Sequence, residues 1–374
     1  MEYVQLKQNT LCVIREPLAG ASLSNLMRLL LENKFHIDSR YLPRLLYSFA
    51  ICSLTTPLRI KEHLKFDSAI KKIQILHHPI FILGHWRSGT TYLHNLLTLD
   101  KMRGYVSTLH TVLPDVFLGS GTLINSIIAK SLPNKRPMDD VQMGPTLPQE
   151  DEFALAALCP YSPQHEMCFP RNAAYYSRYI SMEDVQQTIQ DRWKAIYYYL
   201  LQKETFSCGG KQLVLKNPAN TARVNLLLEM FPNAKFIHIH RNPYYVYLSM
   251  MKLLLNVIPY MCLQKPPKIP VVEHHVLQVY KQIYKKYLNE RRSIPHQNLI
   301  EICYEDFIQR PLDHIKEIYS RLELDGFQAS EETFKKYIAS QEHVKTQRYM
   351  LDDSLKERIY SEWKFAFDAF NYEK

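Results

Sequence analysis

The 374-residue chain has no run of about 18 apolar residues, the length a helix needs to cross a bilayer. Residues 1–20 lack the basic start, apolar run and small-residue cleavage site of a secretory signal. These absences predict a cytoplasmic protein with no integral membrane segment. The seven cysteines, at positions 12, 52, 159, 168, 208, 262 and 303, are odd in number and never form a close CxxC pair, so buried free thiols are expected. No block of like charge, clustered basic stripe or base-reading module is present, which argues against nucleic acid as a partner. Repeats and low-complexity segments are missing too, and the 21 prolines are spread along the chain. The expectation is one domain over residues 1–374, with 1–78 as an N-terminal helical embellishment of a 79–370 core.

What is present is an ordinary globular composition, 46% hydrophobic and 22% charged, with a formal charge of +9 that favours anionic ligands. Leu26, Leu29 and Leu30, then Leu42, Leu45, Leu46 and Phe49, recur at helical spacing and predict helices packed beside the core. Three apolar runs, 79–83, 212–215 and 235–239, are each followed by Gly/Pro or polar punctuation and a helical pattern, and 298–304 is a fourth candidate. They read as buried parallel strands. Strand alternating with helix predicts an α/β fold with a P-loop-like doubly wound sheet flanked by helices, whose ligands sit beyond the carboxyl ends of the strands. More than a hundred residues separate the first run from the second, a helical insertion expected to form an acceptor pocket.

The most informative segment is Gly84-His85-Trp86-Arg87-Ser88-Gly89-Thr90-Thr91, between the first strand and the helix marked by Leu93, Leu96 and Leu97. The glycines let backbone N–H groups converge, and a helix N-terminus adds roughly half a positive charge at the same point. Ser88, Thr90 and Thr91 add hydroxyls. Gly-x4-Gly matches the nucleotide triphosphate loop, but Thr90 and Thr91 stand where that loop has Lys and Ser or Thr. The cation is instead Arg87, whose guanidinium can meet two oxygens at once. A second segment, Ile237 to Pro243, ends a strand with Arg241 and starts a helix with the N-cap Asn242 and Pro243, placing Ser249 about two turns along.

These segments resemble the PAPS-dependent sulfotransferase family, bacterial-type cytosolic branch, whose loop is of the PRSGTT or PKSGTT type; Trp86 stands in place of its common proline. The likeness extends to Leu215-Lys216-Asn217-Pro218, Phe231-Pro232-Asn233-Ala234-Lys235, Tyr304-Glu305-Asp306-Phe307, and the acidic Pro148-Gln149-Glu150-Asp151-Glu152 after Pro137-Met138-Asp139-Asp140. The resemblance implies PAPS as co-substrate with no metal, a sulfuryl group passed to a hydroxyl of a small acceptor, and a 79–370 nucleotide-binding and catalytic core. By the same resemblance Arg87, Ser88, Gly89, Thr90 and Thr91 hold the 5'-phosphosulfate, and Arg241 and Ser249 hold the 3'-phosphate.

Transfer through a loose in-line transition state rests on positioning and cations, for which Arg87 and Lys216 are the candidates. The acceptor must also lose a proton. Where cytosolic members commonly have a histidine two residues after this lysine, the chain has Pro218, so the base is sought among Glu150, Asp151 and Glu152, with His85, His110 and His165 in reserve. The acids could equally favour a helix N-terminus, and Lys216 could be a solvated strand end. Methionines and aromatics around 250–261 suit core packing or a lipophilic alcohol such as a sterol or lipid. A carbohydrate acceptor, an ATP-dependent P-loop kinase and a non-catalytic PAPS-binding pseudoenzyme remain the alternatives. His343, Lys345 and Tyr349 lie in a family-like C-terminal segment.

Overall fold

Three of the apolar runs become strands buried on both faces, as a parallel sheet covered by helices requires, while the fourth is half-buried at the sheet edge. The computed structural model describes residues 16–119, 121, 126, 144–341 and 351–374. Its strands are β1 (Ile80–Leu83), β2 (Arg103–Gly104), β3 (Gln212–Lys216), β4 (Lys235–His240) and β5 (Leu299–Cys303). They form one five-stranded sheet in the order β2-β3-β1-β4-β5. All pairings are parallel: Ile82 opposes Lys216 on one side and Ile237 on the other, and Ile237 opposes Ile300.

β1 is therefore central. The chain leaves it towards β2 and β3 on one side, then crosses to β4 and β5 on the other. That reversal makes the carboxyl ends of β1 and β4 the switch point where doubly wound sheets bind ligands. The α/β expectation holds. The two-residue edge strand β2 is an addition, so the run at 212–216 is the third strand rather than the second; two residues cannot show a period.

Among the described residues, the helices of eight or more residues begin with α1 (Leu23–Glu32), α2 (Leu42–Ile70), α3 (Thr90–Leu97), α4 (Asp151–Leu158), α5 (Ala173–Ser181) and α6 (Gln187–Ser207). They continue with α7 (Pro243–Met261), α8 (Ile269–Glu290), α9 (Pro311–Arg321), α10 (Phe327–Gln341) and α11 (Asp353–Phe370).

The chain forms two compact units. A sheet unit comprises His77–Tyr105, Lys211–Lys252 and Glu273–Lys374, and a helical unit comprises Met1–Leu76, Val106–Gly210 and Leu253–Val272. The core of the sheet unit joins Ile80, Ile82, Ile237 and Ile239 of the strands to Leu93, Leu96 and Leu97 of α3 and to Ile315, Ile318 and Tyr319 of α9. Trp193 and Leu200 of α6 are buried and Ile196 is half-buried.

The helical unit corrects two expectations. Leu26, Leu29, Leu30 and Leu45 are buried, but Leu42 and Leu46 are exposed, so α2 does not turn that leucine face inward. Its inward face carries charge: Arg59 pairs with Asp115 at 2.9 Å, and Glu62 pairs with Lys203. Of the thiols, Cys52, Cys159, Cys168 and Cys262 are buried and outside any disulfide as expected, whereas Cys208, and Cys303 of the sheet unit, are only half-buried; Cys12 lies outside the described residues.

Candidate active site

The turn after β1 is held by glycine where no other residue fits. Gly84 has φ +138° and Gly89 φ +94°, and a Cβ on Gly89 would run into the Tyr304 ring. Arg87 also adopts a left-handed φ of +73°, a conformation that costs a non-glycine residue roughly 1–2 kcal/mol. Three loop amides are engaged in fixing the turn: Gly84 N–H donates to the Thr221 hydroxyl at 2.8 Å, His85 N–H to the Tyr284 hydroxyl at 3.3 Å, and Ser88 N–H to the His85 carbonyl at 3.2 Å. Ser88 and Thr90 are buried, and Thr91 is half-buried. The first amides of α3 have no intrahelical acceptor and remain for an anion.

Arg87 crosses to the second motif. Its Nε donates to Ser249 Oγ at 2.8 Å, a contact between residues far apart in sequence. Arg241, at the end of β4, donates from Nη1 to the Arg87 carbonyl at 3.1 Å and lies over the Tyr304 ring, 4.5 Å from its centroid. Asn242 caps α7 as its side-chain oxygen accepts from Tyr244 N–H at 3.0 Å, and its own N–H donates to Glu305 at 3.1 Å. The strand-to-helix turns after β1 and β4 are thus one hydrogen-bonded assembly. Arg241 Nε is buried with no protein acceptor, so the guanidinium retains donor capacity that a phosphate oxygen would satisfy.

Lys216, at the end of β3, is buried, which removes the reading of it as a solvated strand end. Its charge reaches His94: burial first, then Lys216, lowers that imidazole to about 3. The neighbouring Asn217 caps the turn Pro218–Ala222 by accepting from Ala219 N–H, which places Thr221 under the β1 loop. β1, β3 and β4 are adjacent strands, and Arg87, Lys216 and Arg241 all follow from their carboxyl ends.

The candidate bases differ in surroundings. Burial lowers His85 to about 4, and its Nδ1 sits 2.9 Å from the Trp86 carbonyl. A carbonyl only accepts, so Nδ1 carries the proton and the buried Nε2, which has no protein partner, is the bare nitrogen. In the helical unit Asp151 accepts from the Tyr197 hydroxyl at 2.6 Å and Glu152 from the Ser162 hydroxyl at 2.7 Å. Glu150 precedes α4 and retains 7% of its surface, against none for the other two. His110 Nδ1 lies 2.8 Å from Glu204, and buried His165 bonds the Cys159 carbonyl. The Met138-Asp139-Asp140 element and His343, Lys345 and Tyr349 lie outside the described residues. Met250, Met251, Leu254 and Leu255 of α7 are buried as core.

The sequence pattern did not single out Tyr284, Thr221 or the role of Tyr304. Tyr304 opens a quoted motif, but only the fold shows that its ring fills the space left by Gly89.

Strand, glycine turn and helix, with arginines at neighbouring strand tips, define a P-loop-like α/β protein suited to phosphate-type anions. Residues 79–329 match the sulfotransferase family, and the chain belongs to that family as an enzyme of the sulfotransferase type. Omega-hydroxy-beta-dihydromenaquinone-9 sulfotransferase Stf3 of Mycobacterium bovis is 30% identical over 359 residues, 95% of this chain and 91% of the relative, and Mycobacterium tuberculosis has a counterpart at the same identity. The fold is similar to that of sulfotransferase STF1 from Mycobacterium tuberculosis, with a TM-score of 0.66, 17% identity and coverage of 91% of each chain. Sulfotransferase STF9 from Mycobacterium avium gives a TM-score of 0.65 at 16% identity, covering 94% of this chain and 97% of that one.

Proposed function

We propose that the chain transfers a sulfuryl group from PAPS to a hydroxyl of a lipophilic acceptor, with residues 1–374 serving as one catalytic domain. PAPS would supply the sulfuryl group and depart as adenosine 3',5'-bisphosphate. Arg87, Ser88, Gly89, Thr90 and Thr91 bind the 5' end through amides, hydroxyls and the guanidinium. Arg241 and Ser249 bind the 3'-phosphate, which distinguishes this donor from ordinary adenine nucleotides. Arg87 and Lys216 offset charge that builds on the leaving phosphate and on the sulfuryl oxygens. His85, held neutral, positions the loop through its bond to Trp86. Glu150, which keeps some exposed surface, takes the acceptor proton, and Asp151, which accepts from the Tyr197 hydroxyl, orients the start of α4.

The observation that carries this reading is the Arg87–Ser249 hydrogen bond, because it brings both phosphate motifs to one place. The lipid character of the acceptor is supported by the Stf3 relatives, named for a menaquinone derivative. Two measurements test the proposal. Adenosine 3',5'-bisphosphate should raise the melting temperature of the protein and ATP with magnesium should not. Turnover should then appear with long-chain or polyprenyl alcohols; a protein stabilised only by ATP, or one that sulfates carbohydrates alone, sinks the respective half of the reading.

A further inference from the structure

Helix α2 is built inside out. At 100° per residue, Leu42, Leu46, Leu54, Ile60 and Leu64 fall within about one third of its circumference and run about 33 Å along it. All five are exposed, from 46% for Leu42 to 84% for Leu64. The opposite, buried face carries Arg59, Glu62, Ser48 and Cys52 beside Leu45 and Ile70. Leu31, Phe35 and Leu76, on the segments flanking this helix, are exposed as well. An apolar stripe of this length, interrupted only by Ser53 and Lys61, marks an interaction surface.

Charge identifies the partner. Within 31–76 the exposed cations are Lys34, Arg40, Lys61, Lys65, Lys71 and Lys72, whereas none of the acidic residues there, Glu32, Asp38, Glu62 and Asp67, is exposed. Asp38 is held by Arg171, Glu62 by Lys203 and Asp67 by His63 and Lys71. The exposed charges of this segment are therefore basic, set among apolar and neutral polar side chains. That pairing fits acyl chains beneath anionic headgroups, and no helix among the described residues is long and apolar enough to span the bilayer.

We propose that α2 docks the protein in the plane of an anionic lipid surface, with the leucine and isoleucine stripe in the acyl boundary and Lys61 and Lys65 at the headgroups. Docking there would deliver the enzyme to acceptors that reside in the bilayer. The docking itself rests on the exposed stripe and its charge, not on sulfuryl transfer.

Co-sedimentation with phosphatidylcholine vesicles, with and without 30% phosphatidylglycerol (about 3 lipids in 10), tests it in the absence of donor and acceptor. The wild-type chain is expected to pellet with the anionic vesicles. Leu46→Gln, Leu54→Gln and Leu64→Gln combined should weaken binding by about tenfold or more. Lys61→Gln and Lys65→Gln should each weaken binding to the anionic vesicles by about fivefold with little effect on neutral ones. The proposal falls if wild type stays in the supernatant, if both sets of variants bind like wild type, or if wild type is a dimer in lipid-free solution that the glutamine variant splits. A melting temperature several degrees lower in the glutamine variant also overturns it, because the stripe would then be covered by the chain itself. Because no turnover is read, these outcomes stand apart from the proposed sulfation.

Discussion

The two units place their polar groups in opposite ways. In the sheet unit several buried polar groups collect near strand ends, Ser88 beyond β1, Lys216 at the end of β3 and Ser249 early in α7, and the mid-strand exception, His238 of β4, lies 3.2 Å from Glu301 of β5. In the helical unit charges lie deep between helices, Arg59 against Asp115 and Glu62 against Lys203, while large apolar side chains face outward. Among the described residues, eleven of the fourteen exposed large hydrophobics belong to the helical unit and three, Met102, Tyr245 and Ile308, to the sheet unit. The sheet unit meets the demand of anion chemistry, donors fixed before the ligand arrives. The helical unit uses ion pairs as internal ties and leaves hydrocarbon exposed.

The largest effect that tests this contrast is at the buried tie. Glu62→Ala leaves the Lys203 ammonium buried without its carboxylate and removes the acceptor for Gly119 N–H at 2.6 Å. A loss of about 3–5 kcal/mol in unfolding free energy is expected, measured by urea denaturation. A near-neutral result would mean that the helical unit does not depend on its internal charges.

Next comes the strand-tip cation. On the proposed role of Arg87 against developing charge, Arg87→Ala should lower kcat by about 10²–10³ with a small change in melting temperature. Arg87→Lys should recover only part, because a lysine cannot donate to Ser249 and a second acceptor with the same fixed geometry. A fall in stability as large as the fall in kcat would make Arg87 a structural strut.

Most of the sheet was legible because parallel strands covered on both faces are rich in apolar residues, as 80–83, 213–215 and 236–239 are, while the edge strand 299–303 keeps Ile300 and Ile302 inward and Glu301 outward. The anion loop was legible because only a Gly-rich turn between strand and helix brings amides together. Other features depend on contacts that no local pattern encodes. Arg87 and Ser249 meet only when β1 and β4 lie side by side, and Lys216 is buried only because β3 lies beside the central strand. In α2 the sequence period correctly predicts a helix, yet the face turned inward was decided by Asp115 and Lys203, distant partners that reward burying Arg59 and Glu62.

Acid should separate the two units by a smaller amount. Burial lowers His85 and His165 to about 4 and His94 and His240 to about 3, and three of these four lie in the sheet unit. Between the ordinary value of 6.5 and these folded values the unfolded chain binds more protons, so the contribution is complete above pH 6.5 and declines as pH falls. At pH 5 each fully buried imidazole is expected to cost about 1–2 kcal/mol relative to pH 7.5. Hydrogen exchange should show the sheet unit loosening first; uniform loosening, or a melting temperature flat from pH 7.5 to 5, contradicts it.

The smallest expected effect is also the most direct test of the inverted helix. Leu64 and Glu62 stand two residues apart on α2, and ordinary hydrophobicity would make the leucine the stabilising one. Leu64 is 84% exposed and Glu62 is 3% exposed, so the order should reverse. Leu64→Gln removes little apolar surface from any packed neighbour, and its unfolding free energy should match wild type within about 0.5 kcal/mol. Glutamine also keeps the helix propensity close to that of leucine, so a larger change cannot be assigned to the backbone. If Leu64→Gln instead costs as much as Glu62→Ala, α2 packs its leucines inward after all, and the contrast between the two units disappears.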